Sequence, residues 1–248
     1  MAIYYDNRFF DWVDQTAAQS ARALLPIVLE MVDAESVVDV GCGRGTWLAA
    51  WAELGVSEIQ GLDGDYVDRD RLAIDPSQFE ATNLANTDPR TDRYDVAQSL
   101  EVAEHLPAGS AAGFVDLLCG LADVVLFSAA QPGQGGEDHV NEQPLSYWAD
   151  LFAKNDFQPF DCIRPRVEQD GDVAAWYRYN TLIYANEAGR ARLSQAALNA
   201  RVSHPEAISS GGSLRWNVRR MVLRPLPVGV VTWLSRMNYS VQRALHRR

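Results

Sequence analysis

Apolar residues recur at helical spacing through residues 4–34, with Phe9, Trp12, Val13, Leu24, Ile27, Val28 and Met31 among them. The pattern then changes. Val37-Val38-Asp39-Val40 is a short β-branched run of the kind a buried parallel strand uses. A helix is expected next, over residues 46–54. Further strands are expected at 58–63, 79–84, 94–100 and 123–128, with helices at 109–121 and 144–155. Residues 157–163 and 181–185 read as a closing antiparallel pair. From Ala188 to about Val202 the chain reads as helix, which His204-Pro205 breaks. Ser209-Ser210-Gly211-Gly212-Ser213 reads as a flexible joint. Beyond it, Pro225 and Pro227 divide an amphipathic stretch into two short pieces.

The most informative junction follows the first strand, in Asp39-Val40-Gly41-Cys42-Gly43-Arg44-Gly45. Glycines let a backbone turn sharply and approach a ligand that a Cβ would push away. A loop between a strand end and a helix N-terminus is where open α/β sheets bind nucleotide-like ligands. The dinucleotide fingerprint is not met, because the third glycine comes one residue early. No Gly-Lys-Ser/Thr follows either, so the Walker pattern fails.

Asp39, Gly41, Gly43 and Gly45 do fit D/E-x-G-x-G-x-G, and the stretch resembles motif I of the class I S-adenosylmethionine (SAM)-dependent methyltransferases. The resemblance implies a Rossmann-like seven-stranded sheet, mostly parallel with an antiparallel last strand. It also implies a glycine loop wrapped around the methionine part of SAM, which carries a cation and no pyrophosphate, so an acid at the strand end is electrostatically sensible. Asp63, about twenty residues on at the next strand end, is placed to accept both ribose hydroxyls. Asn83 and Leu84 fall where the family commonly has an acid and an apolar residue at the adenine. Ser99, near the end of the fourth strand, completes the expected cofactor set. Residues 1–34 are expected as a helical cap, 35–188 as the methyltransferase core, and 189–248 as a helical, basic extension.

Glu101-x-x-Glu104-His105 follows the fourth strand. On a helical turn these positions share one face, so two carboxylates and an imidazole would converge. An O,O,N set suits Mg²⁺ or Mn²⁺, and His139, on the loop after strand five, is a candidate fourth ligand. Without a metal, His105 or His139, with Glu104, is the candidate acid–base group. The segment resembles the ubiquinone-pathway O-methyltransferases and the small-RNA 2′-O-methyltransferases. The basic residues of the RNA group are missing around His139. The wider pattern, from the leading Tyr4-Tyr5-Asp6 through His139-Val140-Asn141-Glu142-Gln143, Trp148 and Tyr177-Arg178-Tyr179-Asn180, resembles bacterial methyltransferases of cell-surface glycan and secondary-metabolite pathways. Together these imply O-methylation of a sugar or other polyhydroxylated metabolite. Two alternatives stand: a phenol or catechol O-methyltransferase, and a SAM-binding regulatory protein without turnover.

Composition narrows the partners. The 248 residues carry a net charge of −11, which argues against general nucleic-acid binding. That charge hides an asymmetry, because no acidic residue follows Glu206 while Arg215, Arg219, Arg220, Arg224, Arg236, Arg243, Arg247 and Arg248 do. Such a tail suits either peripheral contact with an anionic membrane or packing on the body or on a second subunit as a homodimer. The packed arrangement is the favoured one. Three cysteines without a C-x-x-C pair, and an opening stretch without a signal-peptide pattern, lead to the expectation of a cytoplasmic protein, with the tail allowing attachment to the inner membrane face.

Overall fold

The computed structural model describes residues 7–86, 90–227, 229–232 and 234–235. The leading Tyr4-Tyr5-Asp6, the side chains of Phe9, Trp12 and Val13, Trp233 and the last four arginines lie outside the described residues.

In chain order the elements are α1 (Asn7–Met31), β1 (Ser36–Val40), α2 (Thr46–Glu53), β2 (Glu58–Asp63), β3 (Phe79–Ala81) and β4 (Val96–Leu100). There follow α3 (Ala111–Leu121), β5 (Val124–Ser128), α4 (Leu145–Ala153), β6 (Gln158–Phe160), α5 (Arg164–Val167) and α6 (Ala175–Asn180). β7 (Leu182–Ala185), α7 (Gln195–Asn199) and α8 (Leu214–Leu223) close the series. The seven strands form one sheet in the order β3-β2-β1-β4-β5-β7-β6. Strands β1 to β5 run parallel to one another, and β7 pairs antiparallel with both β5 and β6.

Both faces of the sheet are covered, which explains its near-continuous apolar strands. Val37 belongs to the core under α1 and α2, with Leu48 and Trp51. Val38 and Val40 point to the opposite core, under α3 and α4, with Phe114, Leu118, Trp148 and Phe152. The Phe152 ring stacks on Tyr184 with centroids 4.0 Å apart. Strand order reverses at β1, so β1 and β4 lead in opposite directions and leave a crevice at their carboxyl ends. The glycine loop and Glu101 emerge there.

Three expectations need correction. The helix expected from Ala188 to Val202 is a 3-10 turn at Gly189–Arg192 followed by the short α7. Ser209–Ser213 is no free joint: Arg164 Nη1 donates to the Ser209 carbonyl at 2.6 Å, and Gln131 Nε2 to the Ser210 carbonyl at 2.9 Å. Glu101 does not begin a helical turn. Its backbone is left-handed, with φ of 58°, and a 3-10 turn at Ala103–His105 follows it.

Candidate active site

The glycine loop closes over the end of β1. Gly41 has φ of 91°, and a Cβ there would stand 2.4 Å from Val102 Cγ2, so only glycine fits. Asp63 lies 4% exposed at the end of β2. Its carboxylate accepts from the Gly43 N–H at 2.7 Å, the Gly64 N–H at 2.6 Å and the Tyr66 hydroxyl at 2.5 Å. Burial raises its pKa, and those three donors oppose the rise. Asp39, beside Gln98 of β4 in the sheet register, is pushed up to about 7 by burial, against the Gln98 amide and with help from the Asp63 charge.

α1 reaches this loop from outside. Asp14 accepts from Arg44 Nη1 at 3.0 Å and from the Thr46 hydroxyl at 3.2 Å. Two members of the expected cofactor set are engaged within the fold. The Ser99 hydroxyl donates to the Val40 carbonyl at 2.8 Å and is fully buried, tying β4 to β1. Asn83 is exposed and its Oδ1 caps the Ala85 N–H at 3.1 Å in its own turn, while Leu84 is buried in the core.

The second cluster forms after β4 and β5. Glu104, His105 and His139 bring one candidate ligand atom each within 4.8 Å of one another. The His105 and His139 rings meet edge-on, centroids 4.9 Å apart. Glu104 is 1% exposed, and neither carboxylate oxygen has a hydrogen-bond partner. Burial first, then the Glu101 charge, raise its pKa well above the carboxylate range. His105 keeps an exposed edge, but the chain packed around it, then the His139 imidazole, lower its pKa and favour the neutral ring.

Glu101 stands beside this trio rather than within it. Gln134 Nε2 donates to its Oε2 at 2.6 Å and Asn180 Nδ2 to its Oε1 at 3.0 Å. The left-handed backbone at Glu101 turns the carboxylate toward these amides, which is why the one-face spacing does not hold.

His139 is placed by groups that the sequence reading assigned no role. Its Nδ1 meets Glu142 Oε1 at 2.9 Å, and Glu142 also accepts the Gly133 and Gly135 N–H groups, each at 2.8 Å. Burial works against the Glu142 charge, but the His139 and backbone donors outweigh it and hold the carboxyl below its usual range. An ionised Glu142 accepts, which selects, for a neutral ring, the tautomer with its proton on Nδ1 and Nε2 as the acceptor. Gly136 makes room for the ring, since a Cβ there would fall 2.1 Å from His139 Nε2. The signal in the sequence was the His139–Glu142 spacing beside a run of glycines.

The strand order and the glycine-loop crevice define a class I SAM-dependent methyltransferase fold. Residues 4–118 match the family model described as a methyltransferase domain, so the resemblance carried by the glycine loop holds. No curated protein matches the sequence. The fold is similar to that of an O-methyltransferase family protein from Burkholderia thailandensis, with 17% identity and a TM-score of 0.53 over 73% of this chain and 60% of that one. The chain thus spans less than two thirds of that protein. The methyltransferase domain of bacterial CtHen1-C aligns at 22% identity and a TM-score of 0.50, over 68% of this chain and 98% of that one. Human N-acetylserotonin methyltransferase, in complex with SAM, aligns at 13% identity and a TM-score of 0.52, over 72% and 55% of the two chains.

Proposed function

We propose that this protein transfers the methyl group of SAM to a hydroxyl of a sugar or other polyhydroxylated metabolite. The observation that carries the reading is the Glu104 carboxylate, buried with both oxygens unpartnered beside two imidazoles. Leaving such a group unsatisfied costs about 1–3 kcal/mol or more, which a site built to bind something else there can offset. The cofactor half is assigned to the glycine loop and Asp63, whose carboxylate would exchange the Tyr66 hydroxyl for the ribose hydroxyls.

The residues fit two forms of acid–base work. His139, oriented by Glu142, takes the acceptor's proton on Nε2, and the Glu142 charge stabilises the imidazolium that results. The acceptor oxygen then bonds to the methyl carbon as the carbon–sulfur bond breaks, and S-adenosylhomocysteine leaves. Glu104, His105 and His139 also fit a divalent cation, because the orphaned carboxylate oxygens and a neutral His105 are ready-made ligands. A bound Mg²⁺ or Mn²⁺ would supply Lewis-acid polarisation of the acceptor hydroxyl. Vicinal hydroxyls suit such a centre, which favours a polyhydroxylated acceptor over a simple phenol.

The test is transfer of labelled methyl from SAM to panels of sugars and of phenols, with and without EDTA. The reading expects label in the sugar panel and its loss in Glu104→Gln and His139→Ala. Transfer confined to phenols, or undiminished in both variants, contradicts it.

A further inference from the structure

Helix α8 has two faces with different occupants. The inner face lies on the glycine-rich loop that holds Glu101 and His139. Trp216 is 9% exposed and packs against Tyr179 with ring centroids 5.4 Å apart. Arg219 Nη1 donates to the Gln134 carbonyl at 2.6 Å, and Arg220 Nε to the Pro132 carbonyl at 3.3 Å. Contact is close enough that a Cβ on Gly133 would stand 2.2 Å from the Arg220 carbonyl oxygen. Helix α8 therefore packs on the body, and it does so through arginine and tryptophan.

The outer face is apolar. Leu214, Val218, Met221 and Val222 are 81%, 45%, 68% and 57% exposed. Their i, i+4, i+7, i+8 spacing puts them on one stripe. Leu226 and Val230, 37% and 42% exposed, lie just beyond the helix. Six of the nine exposed large hydrophobic side chains among the described residues thus fall between 214 and 230. Along this segment the charge is of one sign, because Arg215 and Arg224 flank the stripe and no acid follows Glu206.

We propose that this face docks on an anionic lipid bilayer, independently of the methyl-transfer reading. An apolar stripe bordered by arginine is what an interfacial helix offers, with apolar side chains entering the acyl boundary and guanidinium groups meeting lipid phosphates. A two-fold contact with a second copy would set the same arginines against one another. Nucleic acid would satisfy the arginines and leave the stripe in water. The acidic body is repelled by an anionic surface, so it turns the α8 face toward the membrane. No described helix is long and apolar enough to cross a bilayer, and the contact is therefore superficial. Because the inner face keeps its hold on Pro132 and Gln134, docking leaves the loop that carries His139 in place.

The test is sedimentation of the full chain with vesicles of phosphatidylcholine alone and of phosphatidylcholine mixed with phosphatidylglycerol. Binding is expected to the mixed vesicles only, falling about tenfold or more at high salt. Val218→Asp combined with Met221→Asp should cut it at least about tenfold, as should Arg215→Glu with Arg224→Glu. Both variants should keep wild-type melting and affinity for S-adenosylhomocysteine. Equal partitioning onto neutral vesicles, no binding to either, or binding retained in both folded variants would overturn the proposal. So would a dimer in solution that the aspartate pair dissociates without any vesicle binding.

Discussion

In the proposed reading, Glu104 is the side chain on which the acceptor chemistry turns. A carboxylate sealed inside the fold without a hydrogen bond of good geometry is costly to ionise; burial and the Glu101 charge raise its pKa, and the nearby Glu104 and Ala130 backbone amides only partly oppose the rise. Glu104→Gln keeps the shape and removes the titratable group, so methyl transfer should fall by about 10²-fold or more, the scale expected for a lost acid–base group. Initial rates with thermal melts as a folding control check this. Gly136→Ala tests the neighbouring histidine without touching a titratable group. The added methyl takes the space of His139 Nε2, so turnover should fall while the affinity for S-adenosylhomocysteine stays. Asp39 supplies a prediction in pH. Its folded pKa, raised to about 7 from 3.8, means the native state holds its proton longer than the unfolded chain. Its contribution to stability is complete below about pH 4 and is lost as pH rises to about 7, at about 1.4 kcal/mol per pH unit. In denaturant titrations of the cofactor-free protein across that window, Asp39→Asn should remove this slope.

At the scale of elements, the site depends on how α1 and the loops grip β-strand ends. Arg44 is 6% exposed and pairs with Asp14 at 3.0 Å, so α1 is fastened to the glycine loop. Asp14→Ala should remove that buried ion pair, lower stability by about 1–3 kcal/mol, and weaken S-adenosylhomocysteine binding in calorimetry. Unchanged stability and binding would mean that α1 packs on the sheet without bracing the loop. Much of this architecture was legible in the residues. The glycine loop announces itself because Gly41, Gly43 and Gly45 all take a left-handed backbone, and at Gly41 a Cβ would also strike Val102. The left-handed conformation of Glu101 gave no such sign, since nothing in its residue type calls for φ of 58°. Ser209–Ser213 misled for a related reason: its composition is that of a linker, and the groups that pin it, Arg164 and Gln131, lie 79 or fewer residues away in sequence but adjacent in space.

Across the whole molecule, one crevice at the reversal of strand order collects both half-sites. In the proposed reading the cofactor half sits on β1 and β2 and the acceptor half on the segments after β4 and β5, where α8 packs on the loop through Arg219. Charge divides in the same sense, with an acidic body and an arginine-rich end. The division was visible in the sequence. The two faces of α8 were not, because only packing reveals that Trp216 turns inward while Met221 turns out. The central claim is that the glycine loop and Asp63 form a SAM site, and calorimetric titration of S-adenosylhomocysteine into the full chain tests it most directly. The account predicts one saturable site whose affinity drops about tenfold or more in Asp63→Asn, as expected when a carboxylate that accepts ribose hydroxyls is lost. No heat of binding in the folded wild-type protein, or equal affinity in the variant, would contradict it.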